Sequence, residues 1–305
     1  MYAPITAEDV LQSSKINDNV ILKDVLDVSG WDRGFDATTT KELIIDNLDY
    51  INRFALKGKL WTTESSKISK TDDEWVKNIV LFMAPADTIA SEKNTLCPWA
   101  AVNGCLLNCI NKQGRLGMKS GQMAQMARTV LYQLRNDFFK DKLVAELRLL
   151  EIEFGEMLLV RPDGTSDLIW AWLAALFPNL RFYGYTKGIS KLQKNKAPNL
   201  KLTFSGSNAN PTVFARTVKA VTLGLKTAIA LNTAGTKGEW ALPKDNPNLR
   251  DFDKNDNRYD DPDGALGFLK RKGSNKTSRM AEENAPSSFF FTEDALNHLL
   301  EVTNH

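Results

Sequence analysis

Three cysteines, Cys97, Cys105 and Cys109, fall within thirteen residues of a 305-residue chain whose only histidines, His298 and His305, lie in its last eight positions. Thiolates grouped in this way ligate metal, but a closed structural zinc site needs four Cys or His ligands, one more than this segment supplies. Three thiolates leave one position open. A four-iron, four-sulfur (4Fe-4S) cluster held by three cysteines keeps one iron free for an exchangeable small molecule. Two other readings stand beside it: a zinc site completed by a carboxylate or the distant tail, and buried cysteines with no ligand. An odd cysteine count speaks against a disulfide framework.

The other chemistry-bearing residues sit in short polar loops. Gly164-Thr165-Ser166-Asp167 offers a carboxylate to an amino or hydroxyl group, or Ser166 or Asp167 caps the helix that follows. Thr186-Lys187-Gly188, Ser205-Gly206-Ser207-Asn208 and Asn232-Thr233 are rich in small hydroxyl, amide and glycine groups that approach a polar ligand closely. Lys187, Lys191, Lys194, Lys196 and Lys201 form a basic stretch without an acidic neighbour, read either as a solvated loop or as a surface for carboxylate, phosphate or nucleic acid. The aspartates between Asp245 and Asp263 do not fit a calcium loop, because Arg258 stands where glycine is required and Gly264 where the bidentate Glu belongs. That stretch is read as an exposed loop. No Walker motif, Rossmann glycine fingerprint, nucleophile elbow or mid-chain histidine base is present, which disfavours ordinary hydrolase and dehydrogenase chemistry.

Hydrophobic spacing supplies the elements that must position these groups. A helix is expected over Thr40 to Phe54, followed by a buried strand at Ile79 to Phe82 ended by Ala84-Pro85. The cysteine loop comes next, and then two amphipathic helices, the first carrying Met123, Met126, Val130 and Leu134 and the second running from Phe139 to Phe154 and ended by Gly155. From there strands and helices alternate: strand Met157 to Val160, helix Asp167 to Phe177, strand Arg181 to Tyr185, strand Leu200 to Phe204, helix Pro211 to Leu223 capped by Asn210, strand Thr227 to Leu231 and a last strand at Ala265 to Leu269. Short apolar strands joined by helices imply an α/β fold, a parallel sheet or partial (β/α) barrel with right-handed crossovers. In such folds ligands gather at the carboxyl ends of the strands, which places the cysteine loop and the polar loops on one rim.

Three segments are expected: an N-terminal appendage over 1–75, an α/β core over 76–275 and a C-terminal tail over 276–305. The longest strongly apolar run, Leu168 to Phe177, has ten residues, half of what a membrane helix needs. With no secretory signal at the start, a cytoplasmic location is expected. A formal net charge of +2 supplies no overall field toward nucleic acid or membranes.

From about Asn78 to Gly273 the chain resembles the bacteriophage gene product eighty-eight family. The landmarks, in order, are Leu96-Cys97-Pro98-Trp99-Ala100 with Cys105 and Cys109, Gly114-Arg115, Gly164-Thr165-Ser166-Asp167-Leu168, Phe177-Pro178, Phe182-Tyr183-Gly184-Tyr185-Thr186-Lys187, Leu202-Thr203-Phe204-Ser205, and Asp261-Pro262-Asp263-Gly264 before Gly267-Phe268-Leu269-Lys270. That family is in turn similar, more weakly, to radical S-adenosylmethionine enzymes, although the spacing of the cysteines here is wider than is usual in them. The resemblance implies a 4Fe-4S cluster on Cys97, Cys105 and Cys109, with S-adenosylmethionine contacted by Gly164, Thr165, Ser166 and Asp167 and by Ser205 and Ser207. It also implies a host-cytoplasmic enzyme with an electron donor and an unidentified small-molecule or nucleic-acid-derived substrate, and no membrane partner. The alternative expectation is a non-enzymatic, metal-stabilised phage protein that binds nucleic acid or a host factor through the lysines.

Overall fold

Short runs rich in aliphatic and aromatic residues, bounded by polar turns, form seven strands among the described residues: β1 (Lys77–Val80), β2 (Leu158–Arg161), β3 (Arg181–Thr186), β4 (Leu200–Ser205), β5 (Thr227–Leu231), β6 (Leu249–Asp251) and β7 (Leu266–Lys270). The computed structural model describes residues 2–18, 37–64, 75–105, 109, 114–231, 249–254, 256–270 and 289–303. All neighbouring strands pair in parallel, in the order β1-β2-β3-β4-β5-β7-β6. Parallel neighbours need crossover connections, and helices supply most of them.

The N-terminal segment contributes α1 (Ala7–Gln12), α2 (Thr40–Asp46) and α3 (Leu48–Lys57). Between β1 and β2 run α4 (Lys119–Leu134) and α5 (Asn136–Phe154). Then α6 (Ala171–Leu176), α7 (Ile189–Lys194) and α8 (Pro211–Thr222) alternate with the strands, and α9 (Glu293–Thr303) follows the sheet. The fold is therefore α/β with a parallel sheet, as the alternation of elements implies. The strands follow one another from β1 to β5; β7 comes next, and β6 lies outside it.

One face of the sheet makes the main core. Ile79, Leu158, Val160, Phe182, Leu200 and Leu202 pack with Met126, Val130 and Leu131 of α4 and Phe139, Leu143 and Leu147 of α5. These are the apolar positions whose helical spacing identifies both helices in the sequence. Ile5, Val10, Ile16, Leu43, Ile44, Ile51, Leu60 and Trp61 belong to the same cluster. The described part of the expected appendage is thus built into the core. Arg128 of α4 fastens it further, donating from Nη1 to the Phe82 carbonyl at 3.2 Å and from Nη2 to the Lys59 carbonyl at 3.0 Å. At the other end of the sheet, Leu296, Leu299 and Leu300 of α9 cover Val221, Ile229, Leu231, Leu266 and Phe268. The tail accordingly contributes structure after position 288. Among the described residues no helix is long and apolar enough to cross a membrane.

Several expected boundaries need correction. The helix over Thr40 to Phe54 is two helices broken at Asn47, whose side chain bonds back to the Leu43 carbonyl at 2.7 Å. The helix expected from Asp167 begins only at Ala171, with Trp170 at its cap position and no side-chain cap. The aspartate-rich stretch is not simply an exposed loop, since it contains β6 and the buried Phe252 and Arg258. Asn232-Thr233, read as a fourth rim loop, lies outside the described residues.

Candidate functional site

The chain leaves β1 through Leu81-Phe82-Met83-Ala84, which is buried throughout, and turns at Pro85-Ala86. Thr129 Oγ1 of α4 accepts the Ala84 N–H at 2.9 Å, and Thr165 Oγ1 accepts that of Met83 at 3.0 Å. Ala86 has φ +48°, the only non-glycine among the described residues in the left-handed region. Such a conformation is costly for a residue with a Cβ and survives only where the surroundings impose it. Here they do: the Ala86 carbonyl accepts the Leu96 N–H at 2.9 Å, and the Ala86 N–H points at Cys97 Sγ, 3.4 Å away.

Cys97, Cys105 and Cys109 all line one cavity of about 140 Å³, together with Pro85, Ala86, Trp99, Ala100, Ser166, Asp167, Tyr185, Thr186, Lys187 and Ser205. The three thiols come from the loop after β1; the polar groups come from the loop after β2, from the end of β3 with Lys187 just beyond it, and from the end of β4. All stand at the carboxyl ends of parallel strands, where the fold collects ligands. The closure is tight. Gly164 has no room for a side chain, because a Cβ there would stand 2.6 Å from the Leu81 carbonyl oxygen, and at Gly188 it would stand 2.7 Å from Trp99 Nε1. Gly164 lets the β2 loop lie against the segment leaving β1, and Gly188 lets Trp99 close over the β3 loop.

The residues expected at this site divide into two groups. Ser166, Asp167 and Ser205 face the cavity. Gly164, Thr165 and Ser207 support it from outside. Thr165 Oγ1 donates to the Met83 carbonyl at 2.5 Å, while Ser207 Oγ donates to the Asn103 carbonyl at 3.0 Å and so ties the cysteine loop to the end of β4. The capping reading of Ser166 and Asp167 also fails, because the helix starts beyond their reach. Asp167 instead accepts Thr186 Oγ1 at 3.1 Å and the Lys187 N–H at 3.0 Å on one oxygen, and Lys191 Nζ at 2.8 Å on the other.

Lys187 and Lys191 are therefore not on a solvated face. Lys191 Nζ bridges Asp167 and Asp163, 3.1 Å from Asp163 Oδ2. Lys187 Nζ donates to the Ser205 carbonyl at 2.8 Å and to its Oγ at 3.1 Å. Lys194 and Lys196 remain exposed. Asp163 belongs to the polar loop Arg161 to Asp167 that follows β2, but the sequence assigns it no role of its own; its four-residue separation from Asp167 is the only signal there. Its Oδ1 accepts Ser166 Oγ at 3.0 Å, the Leu168 N–H at 3.2 Å and Trp170 Nε1 at 2.6 Å. This carboxylate, rather than a helix, organises residues 166–170.

The electrostatics follow from burial. Desolvation pushes the Cys97 thiol well above its ordinary value and raises that of Cys105; it lowers Lys187. Protonated thiols are poor nucleophiles, so a free cysteine nucleophile does not suit this cavity. Burial also raises Asp163 from 3.8 to about 6, with Lys191 opposing the shift. A carboxyl with a higher pKa folded than unfolded binds its proton more tightly in the folded state. The associated stabilisation is present below about pH 4 and is lost as the pH rises through about 6. The indole N–H resonance of Trp170 is expected to titrate with a midpoint near pH 6, because protonation of Asp163 weakens the bond it accepts. An indole shift that stays constant from pH 5 to pH 7 would mean that Lys191 keeps the carboxylate ionised throughout.

The donor types suit a metal cluster, since three thiols share one largely apolar cavity. Among the described residues, however, no three Cys, His, Asp or Glu side chains are gathered closely enough to hold a metal ion in this conformation. Ligation requires the cysteine loop to draw its thiols inward; residues 106–108 and 110–113 of that loop lie outside the described residues. His298 stacks on the Phe214 ring at 5.5 Å and is not part of the cavity wall. No curated protein and no solved structure matches the chain. A family model described as Gene product 88 matches residues 56–284, beginning some twenty residues before the resemblance noted in the sequence and ending about ten after it. That match spans about three-quarters of the 305 residues, and the chain belongs to the Gene product 88 family.

Proposed function

We propose that the protein is an iron–sulfur, radical S-adenosylmethionine enzyme, with Cys97, Cys105 and Cys109 as the ligands of a 4Fe-4S cluster. The observation that carries this reading is the presence of all three cysteines in the wall of a single cavity at the carboxyl rim of a parallel sheet, shared with Asp167, Lys187 and Ser205. When bound there, such a cluster supplies one electron, delivered by an external donor, to cleave S-adenosylmethionine into methionine and a 5′-deoxyadenosyl radical. The residues of the chain bind, orient and shield. Asp167, already fixed by three donors, keeps lone-pair capacity for a cationic amino group. Lys187 offers a cation to a carboxylate, and Ser205 Oγ, which accepts from Lys187, keeps its own proton to donate. Pro85, Ala86, Trp99 and Tyr185 exclude water from the same space. The inward turn of Lys187 and Lys191 favours this reading over a nucleic-acid surface built on the lysine stretch. Anaerobic incubation of the reconstituted protein with dithionite and S-adenosylmethionine is expected to yield 5′-deoxyadenosine and methionine in equal amounts. A cluster-loaded protein that yields neither would overturn the enzymatic reading.

A further inference from the structure

We infer that a groove between α5 and α6 is the contact surface for a second copy of this chain, and that two copies pack α5 antiparallel to α5 about a two-fold axis at Val144 and Ala145. The groove shares no residue with the cysteine cavity, and the inference goes beyond the cluster reading without depending on it.

Spacing along α5 sets up the surface. Phe139, Leu143 and Leu147 belong to the core, while Asp141, Val144, Ala145 and Arg148 form a separate stripe at the three-and-four spacing of a helix-packing seam. That stripe is one wall of a groove of about 430 Å³, and Trp172 and Leu176 of α6 line the same space. The residues one turn beyond Ala145 and Arg148 are apolar and turned to solvent. Leu149 is 68% exposed and Ile152 81%, and Leu176 across the groove is 51% exposed. Large apolar side chains grouped on a surface mark a place where another molecule sits.

Charge decides which partner fits. Asp141 and Arg148 stand two turns apart, about 10.5 Å along the helix axis, too far to pair with each other. Among the described residues neither has an ion-pair partner, whereas the adjacent Lys142 and Glu146 pair within the helix at 3.1 Å. In an isologous two-fold contact, residue i meets residue j while j meets i. With Val144 and Ala145 on the axis, antiparallel packing sets Asp141 of each copy opposite Arg148 of the other, so that both charges are answered twice over. It also brings Leu149 of one copy over Lys140 of the other, whose ammonium stands 5.7 Å from the Trp172 ring centroid; the lysine stem and the indole receive the leucine. A parallel alignment would set aspartate against aspartate and arginine against arginine, and a one-turn slip would leave both pairs unmade. A partner of a single charge sign would answer one of the two groups and repel the other. The small side chain of Ala145 leaves room for the helices to approach.

The test is equilibrium sedimentation of the full chain over a range of concentrations, in reducing buffer so that the cysteines do not cross-link copies. A reversible monomer–dimer equilibrium is expected. Asp141→Arg and Arg148→Asp are each expected to weaken it about tenfold or more, because both symmetry-related pairs become repulsive at once. The two variants mixed together are expected to associate about as tightly as the wild type, since one copy then carries arginine at both positions and the other aspartate. Both residues are exposed, so each variant should keep its helices, which circular dichroism checks. A wild-type chain that stays monomeric, leaving the groove to a different protein, would overturn the proposal. So would a dimer that neither charge reversal weakens, or variants that do not associate on mixing. Should a reversal fail to fold, Leu149→Asp probes the same contact, and an undiminished dimer there would likewise count against it. Because no cluster is needed, failure here leaves the cluster reading standing, and success does not presuppose it.

Discussion

Asp163→Ala is expected to destabilise the protein by about 3–5 kcal/mol, the range for breaking a buried charge pair from one side. Its side chain is 1% exposed, and Lys191, at 14%, is left with Asp167 as its only carboxylate partner among the described residues. The loss does not end with the ion pair. Ser166 Oγ, the Leu168 N–H and the Trp170 indole all donate to the same carboxylate, and a buried donor left without an acceptor costs about 1–3 kcal/mol. Urea unfolding gives the measurement. Asp163→Asn, which retains an acceptor oxygen, should lose less, and Lys194→Ala on the exposed side of the same segment should stay within about 0.5 kcal/mol. A loss below about 1 kcal/mol for Asp163→Ala would show that residues 166–170 hold their shape without this carboxylate.

Asp167→Asn is expected to weaken S-adenosylmethionine binding to the reconstituted protein by about tenfold or more, the equivalent of about 1.4 kcal/mol. The substitution removes the negative charge that faces the cavity while leaving a side chain of the same shape. It also puts an amide N–H toward either Lys191 or the Thr186 and Lys187 donors. A stability loss of about 1–2 kcal/mol should therefore accompany the weaker binding. Equilibrium dialysis and urea unfolding separate the two effects. Unchanged affinity with reduced stability would make Asp167 a clamp between the β2 and β3 loops and remove it from ligand recognition.

How far the sequence reading reached depended on whether local or distant contacts decide each element. β5 is read with its correct limits because Thr227 opens the apolar run Ala228 to Leu231, and α8 with its correct start because Asn210 does cap it, accepting the Val213 N–H at 3.0 Å. Gly155 ends α5 with φ +53°, as its lack of a side chain allows. Leu168-Ile169-Trp170 reads as helix from its apolar character, yet Asp163 captures the Leu168 N–H and the Trp170 indole, and Ile169 is left 73% exposed. No propensity scale contains that capture. β6 escapes notice because three residues among aspartates carry no periodic signal, and it forms only through pairing with β7. The same distinction runs through the site. The cysteines are legible from residue type and clustering alone. The directions of Lys187 and Lys191 are not, since charge does not reveal which way a side chain turns, and only the assembled rim shows both aimed at carboxylate and hydroxyl oxygens. Ser207 and Thr165 look equivalent to Ser205 and Ser166 in the sequence; loop geometry turns the first pair toward backbone carbonyls and the second toward the cavity.

The central claim, a cluster on three converging thiols, is tested most directly by the iron and acid-labile sulfide content of the anaerobically reconstituted chain, read beside its absorption spectrum. The account predicts about four irons and about four sulfides per chain with a broad sulfide-to-iron charge-transfer band, and the loss of all three in Cys97→Ala, because two thiolates no longer hold the cluster. Stoichiometric zinc without sulfide in the wild-type protein, or iron and sulfide retained in full by Cys97→Ala, would contradict it.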